Sequence, residues 1–313
     1  ALPIFEENNV PYKSKKDGLM HACGHDVHTA SLLGATKILS ELREYWNGTI
    51  KFIFQPAEEK SPGGASILIR EGILEDPTPE RIIGQHVMPI IPVGKVGLRP
   101  GKYMASADEI YLTVKGKGGH AAMPENFIDP IAISAQVITA LQQVVSRIAN
   151  PKIPSVLSFG KIEGGQVNNV IPNEVRIEGT FRTFDEHWRK EALEKIKDIS
   201  TGIAESFGAT CEVHIASGYP YLVNDEAVTK LSKEAAIEYL GEENVVDLDL
   251  WMAAEDFSFY THQVAGCFYR LGTQNVEKGI VSGVHTPTFD IDEEALKIGM
   301  GFLAYNTIHQ LQT

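Results

Sequence analysis

Segments with the two-residue repeat of a strand alternate with segments at helical spacing along the whole of this chain. A chain that changes period so often must lay helices against a sheet, so the fold class is α/β. The first helix is predicted over Val27–Leu42. Asp26 is its N-cap, and Leu32, Ala35, Leu39 and Leu42 form its apolar stripe. Strands are predicted at Thr49–Phe54 and Arg81–Val87.

From Ser106 the texture changes. Ile110–Val114 alternates as a strand, and a helix follows with Asp129 as cap and Pro130 as its first residue. Strands at Ser155–Gly160 and Glu174–Arg182 come next. A helix carrying Leu193, Ile196, Ile199, Ile203 and Phe207 follows, stopped by Gly208, and then a strand at Thr210–Ala216. This βαββαβ order is the split βαβ, ferredoxin-like motif. It reads as a domain at 106–217 inserted into a discontinuous α/β domain made of 1–105 and 218–313. The outer domain resumes with a helix over Glu226–Leu240, capped by Asp225. A last helix starts near Asp292, with Glu293 and Glu294 in its first turn.

A chain of 313 residues can hold two such domains. Its formal net charge of −13 repels a phosphate backbone and argues against nucleic-acid binding. Three scattered cysteines (Cys23, Cys211, Cys267) make no disulfide framework, and a reduced, cytoplasmic setting fits them. No apolar run nears the roughly 18 residues of a membrane span, and no signal peptide is visible, so no membrane partner is expected.

Four clusters can carry chemistry. His21-Ala22-Cys23-Gly24-His25-Asp26-Val27-His28 packs potential ligands just ahead of a helix. Cys23 and His25, two apart in an extended loop, can point one way, and a thiolate with an imidazole suits zinc and similar metals. Gln55-Pro56-Ala57-Glu58-Glu59 places two adjacent carboxylates after a strand. One can hold a metal while the other takes a proton from activated water, although alone such a pair reads as a solvated acidic loop. His86 closes the apolar run Ile82–Gln85, where a histidine is more often part of a core. His285 lies in the turn-rich Gly283-Val284-His285-Thr286-Pro287. Gly116-Lys117-Gly118-Gly119 matches neither nucleotide-loop spacing.

His-Ala-Cys-Gly-His-Asp, Gln-Pro-Ala-Glu-Glu, Gly-Gly-His-Ala-Ala-Met-Pro, Asn-Asn-Val-Ile-Pro and His-Thr-Pro occur here in that order. The whole chain thereby resembles the M20 metallopeptidase family, in its branch of N-acyl-amino acid, hippurate and auxin-conjugate amidohydrolases. The resemblance implies that Cys23, His25, Glu59, His86 and His285 ligate two divalent metal ions, and that Glu58 is the general base. Zinc suits the thiolate best, with manganese, cobalt or nickel as alternatives. The inserted domain becomes a lid and dimerisation surface. His120 becomes a lid residue brought to the substrate, and a homodimer or higher homo-oligomer through the lid is implied. Asn169 and Arg182 are candidate substrate contacts, Arg182 by pairing bidentately with an α-carboxylate. Glu255, beside Asp256 in a segment common in this branch, is placed near the site as a further substrate-binding candidate. The resemblance also implies several dozen residues ahead of Ala1, ending in an aspartate that supports the site.

The expected reaction is metal-dependent hydrolysis of the amide bond of a small N-acyl amino acid. A deacetylase of the N-acetyl-diaminopimelate type, a dipeptidase or a carboxypeptidase would share this chemistry. A non-catalytic binding protein could share the fold, but it would have no use for Glu58 beside the ligands.

Overall fold

Two apolar segments, β1 (Arg81–Pro92) and β12 (Ala265–Gln274), pair in parallel and carry the first sheet of the computed structural model, which describes residues 1–312. Ahead of them lie helices α1 (His25–Glu41) and α2 (Gly64–Arg70). After β1 come β2 (Val96–Leu98), β3 (Gly101–Met104), β4 (Asp108–Lys115) and β5 (Gly119–His120). The middle of the chain forms α3 (Pro130–Gln143), β6 (Ser155–Glu163), β7 (Val170–Ile171), β8 (Glu174–Thr183), α4 (Glu186–Ser206) and β9 (Thr210–Ser217). The last part adds β10 (Leu222–Asn224), α5 (Glu226–Leu240), β11 (Val245–Asp247), α6 (Ser258–Thr261) and α7 (Glu294–Leu311).

The first sheet runs β1-β12-β2-β11. β12 is buried without a break from Gly266 to Thr273, because both faces of the sheet are covered. On one face Tyr269 and Leu271 meet Val27, Ala35 and Leu39 of α1, Val228 and Ala235 of α5, and Phe302 of α7. On the other, Phe268 packs with Ala65, Tyr103, Phe257 and Tyr260. A second sheet, β6-β8-β4-β9, is antiparallel throughout. Ile133, Val137 and Leu141 of α3 and Ala192 and Ile196 of α4 bury against its Ile110, Leu112, Val114 and Ile177. Strand, helix, strand, strand, helix, strand is the order found, with the third strand (β8) between the second (β6) and the first (β4).

Several local expectations change. Thr49–Phe54 joins no ladder among the described residues. Tertiary contacts hold it instead: Ile50 and Phe52 pack on the core. The Lys51 ammonium donates to the carbonyls of Ile73, Glu75 and Pro77 at 2.9, 2.7 and 3.0 Å. Alternation predicts a pleat and cannot supply its partner strand. Helix α1 is capped by Gly24 in a left-handed conformation, and Asp26 falls inside the first turn, so it is not the cap. Asp129 and Asp225 do cap, each accepting from two backbone N–H groups. One helical stretch, Pro130–Ile148, is long and apolar enough by length and composition to cross a membrane, which corrects the expectation that no run nears that size. Its apolarity is sided: Val137, Leu141 and Val144 are buried in the second core, while Gln136, Thr139, Gln142 and Gln143 face outward.

Candidate metal centre

Four separate segments converge at the start of α1. Cys23 and His25 flank Gly24, whose φ is +73°. A Cβ there would stand 2.6 Å from Val87 Cγ2, so glycine is required both by conformation and by the close approach of β1. His285 stands in a left-handed turn (φ +62°), and its backbone N–H donates to Ala22 at 2.7 Å, which pins the turn to the Cys23 loop. His86 projects from the interior of β1. The strand runs on to Pro92, so His86 does not end it, as the sequence suggested. Glu58 and Glu59 occupy a turn beyond Pro56.

Cys23 Sγ lies 3.5 Å from His86 Nε2 and 3.3 Å from His285 Nε2, and His285 Nε2 lies 3.1 Å from Glu59 Oε1. His25 Nε2 is 3.6 Å from Glu59 and 3.8 Å from Glu58. Ligand atoms of Cys23, His25 and His86 fall within 4.8 Å of one another, as do those of Cys23, Glu59 and His285. The five candidates thus form two groups sharing the thiol.

The donor set fits a divalent cation. His86 Nδ1 sits 2.8 Å from the Val87 carbonyl, so its N–H is committed there and the Nε2 lone pair faces Cys23. Burial holds His86 well below its ordinary pKa and lowers His25 too, which keeps both rings neutral and able to coordinate. His25 Nε2 is buried with no hydrogen-bond partner. Burial, with Glu59 and then Glu58 nearby, pushes the Cys23 thiol far above its ordinary value. A cation is what would make it a thiolate.

Residues 1–307 match peptidase family M20/M25/M40. The chain belongs to this family. It is 40% identical over 313 residues to an N-acetylcysteine deacetylase of Bacillus subtilis, covering all of this chain and 80% of that protein. It is 46% identical over 224 residues to an N-acyl-L-amino acid amidohydrolase of Geobacillus stearothermophilus, covering 72% of this chain and 60% of that one. The fold matches the crystal structure of the Bacillus subtilis YXEP protein, a dinuclear metal binding peptidase of the M20 family. The TM-score is 0.83 at 36% identity, and the match covers all of this chain and 79% of that one.

In this M20 chain the two adjacent carboxylates face different neighbours. Glu59 turns to Cys23, His25 and His285, while Glu58 also turns to Glu255 and Asp256, with oxygens of the three within 4.8 Å of one another. Burial, then Glu59 and Asp256, raises the Glu58 carboxyl well above the usual range. Glu255 is only 6% exposed, and burial beside Glu58 raises it further. Asp256 accepts from Gln55 at 2.8 Å and from the Ala65 N–H at 3.0 Å, and its own N–H bonds to Glu58. The Tyr219 hydroxyl donates to the Glu58 carbonyl.

Away from this cluster, His120 on β5 pairs with Val170, and Ala121 N–H donates to Asn169 at 3.1 Å, so His120 and Asn169 share one exposed ribbon. Arg182 lies half-buried on β8 opposite Val156. No contact joins these three to the metal-ligand cluster among the described residues. Sequence reasoning missed the groups that hold the site in place. The buried Val87 N–H donates to His28 Nε2 at 3.0 Å, so the open edge of β1 is satisfied at Val87 by two histidines. Helical spacing from His25 was the available signal for His28. Nothing in the sequence marked Tyr219.

Proposed function

We propose that this chain hydrolyses the amide bond of small N-acyl amino acids, with two divalent metal ions held by Cys23, His25, Glu59, His86 and His285. It belongs to a family of metal-dependent amide hydrolases, and the observation that carries the finer reading is the division of labour between neighbours. Glu59 sits among the ligand atoms, and Glu58 stands beside them with a raised carboxyl. When bound, the ions would supply Lewis acidity to the amide carbonyl and to water. Zinc suits the thiolate, and manganese, cobalt or nickel would also be accepted by these donors.

Glu58 is the general base. It takes a proton from the attacking water and delivers it to the departing nitrogen, a poor leaving group as an anion. Burial raises its carboxyl above the usual carboxylate range, which favours the protonated form that hands the proton on. Residues 106–217 form the lid and the surface for a homodimer. His120 donates to the developing oxyanion, a contribution typically worth about 3–4 kcal/mol. Asn169 hydrogen-bonds the substrate, and Arg182 pairs with its α-carboxylate, as a half-buried guanidinium with no ion-pair partner among the described residues could.

The test is metal analysis of the purified chain alongside hydrolysis of N-acetyl and N-benzoyl amino acids. Bound metal with turnover that a chelator abolishes is expected. Protein that binds metal fully and cleaves no N-acyl amino acid would end the substrate assignment, and protein unable to bind metal would end the mechanism.

A further inference from the structure

Gly218 and Tyr219 make the second of the two chain crossings between the sheets, directly after β9. Gly218 N–H donates to the Ala107 carbonyl and Ala107 N–H donates to the Tyr219 carbonyl, each at 2.9 Å, so the two crossings are stitched side by side. They lie so close that a Cβ on Gly218 would stand 2.6 Å from the Ala107 carbonyl oxygen. Arg189 of α4 donates to the Gly218 carbonyl at 3.2 Å. Pro220 follows, which disfavours helical backbone at Tyr219. The backbone of Tyr219 is therefore part of the joint.

Its side chain belongs to the site. The hydroxyl donates to the Glu58 carbonyl at 2.5 Å. The ring stands edge-on to Phe259 of α6, with 5.9 Å between centroids, and close against Gly63, where a Cβ would stand 2.9 Å from Tyr219 Cε1. The turn that carries Glu58 and Glu59 has little support of its own. Ala57 has φ +56°, a conformation that side chains disfavour, and the Lys60 N–H reaches the Ala57 carbonyl only at 3.4 Å. We propose that Tyr219 is a positioning residue for Glu58: it ties the Glu58–Glu59 turn to the joint, so that the aim of the base follows the relative set of the two sheets. Both ends of this short, stiff side chain are fixed, so a shift of the crossing is passed to the Glu58 carbonyl with little slack. A general base must lie within hydrogen-bond reach of its proton and tolerates little displacement.

The inference rests on the amide-hydrolase reading given above, and its test has an arm that needs no turnover. Metal-loaded, full-length wild type, Y219F, G218A and Y219F/G218A are compared for metal content, kcat, KM and deuterium exchange of the amides at 57–64. Y219F keeps the ring and removes the tie. Its kcat is expected to fall by about 10- to 100-fold, the effect of slightly misplacing a catalytic group, with KM and bound metal little changed. Exchange at 57–64 should quicken by about fivefold, the opening that one hydrogen bond holds back. G218A forces the crossings apart, and with Tyr219 present it should lower kcat and quicken the same amides. In Y219F it should add little, because the path from the joint to Glu58 is already cut.

Wild-type kcat in metal-loaded Y219F would overturn the proposal, as would loss of its metal, and so would Y219F and G218A losses that simply multiply. If Y219F does not fold, G218A decides alone: exchange at 57–64 no faster than in wild type would refute the tie. A wild type that holds metal but cleaves no N-acyl amino acid would fail the proposed function instead. The exchange rates would still decide the role of Tyr219.

Discussion

Glu58 and Glu59 carry identical side chains one peptide bond apart, and their surroundings differ. Glu59 faces an imidazole and a thiol, whereas Glu58 faces two more carboxylates and is raised by burial. Glu58→Gln keeps the shape and loses the proton acceptor. Its kcat is expected to fall by about 100-fold or more, the usual contribution of general-base catalysis, with bound metal unchanged by mass spectrometry. Normal turnover in that variant would remove Glu58 from the mechanism. His28 belongs to the same scale. Burial, and then the charges of His25 and Arg270, lower its pKa from 6.5 to about 3 in the fold. The unfolded chain binds a proton below 6.5 that the folded chain refuses, so this residue's contribution is present at neutral pH and is lost as pH falls towards 3. His28→Gln keeps an acceptor for the Val87 N–H and does not titrate. The gap in melting temperature between wild type and H28Q should therefore shrink from about pH 7 to about pH 5. A gap that widens on acidification would show that His28 is not buried neutral.

Between elements, the connection from the first sheet into the second is tied by one ion pair. Arg189 of α4 donates to both oxygens of Asp108 at the start of β4, at 2.8 Å each, and to the carbonyl of Gly218 just past β9. Asp108 is fully buried and Arg189 nearly so. This clamp gathers both chain crossings at Ala107 and Gly218, where Gly218 N–H also donates to the Ala107 carbonyl at 2.9 Å. Replacing Asp108 by Asn leaves the buried guanidinium only the part-exposed Glu186 carboxylate, 3.0 Å away, as counter-charge. The expected cost is about 3 kcal/mol, the low end for a broken buried pair, read as a lower denaturant midpoint. An unchanged midpoint would mean that water reaches the pair. The helix caps were legible because capping is local: Asp129 and Asp225 each reach N–H groups two and three residues on. Asp26 failed as a cap because Gly24, pressed against Val87, already turns the chain into α1.

For the molecule as a whole, the candidate ligands from residues 23 to 285 meet only in the folded state, so the proposed metal binding is linked to folding. Removing metal with a chelator should lower the melting temperature and leave Cys23 a protonated thiol. Adding it back should raise the melting temperature with ion concentration, each site contributing about 2.7 kcal/mol of stability at one hundred times its Kd. A melting curve indifferent to chelator and to added zinc or manganese would contradict a preformed site. The homodimer expected through 106–217 is checked by light scattering on the full chain, and a monomer at working concentration would remove it.

The sequence by itself determined the α/β class, the strand and helix order of 106–217, most helix bounds and the motifs that carry the candidate ligands. Each of these is written in local periodicity or in a contiguous motif. It could not tell that Thr49–Phe54 would find no ladder, or that β1 would run past His86, since pairing depends on distant strands. Nor did it show that His28 would take the Val87 N–H or that Tyr219 would reach the Glu58 carbonyl, since those partners lie far along the chain. Donors are chosen by residue type, which a sequence states outright. Their aim, their charge state and the groups that hold them are set by burial and by long-range contacts, which exist only once the chain has folded.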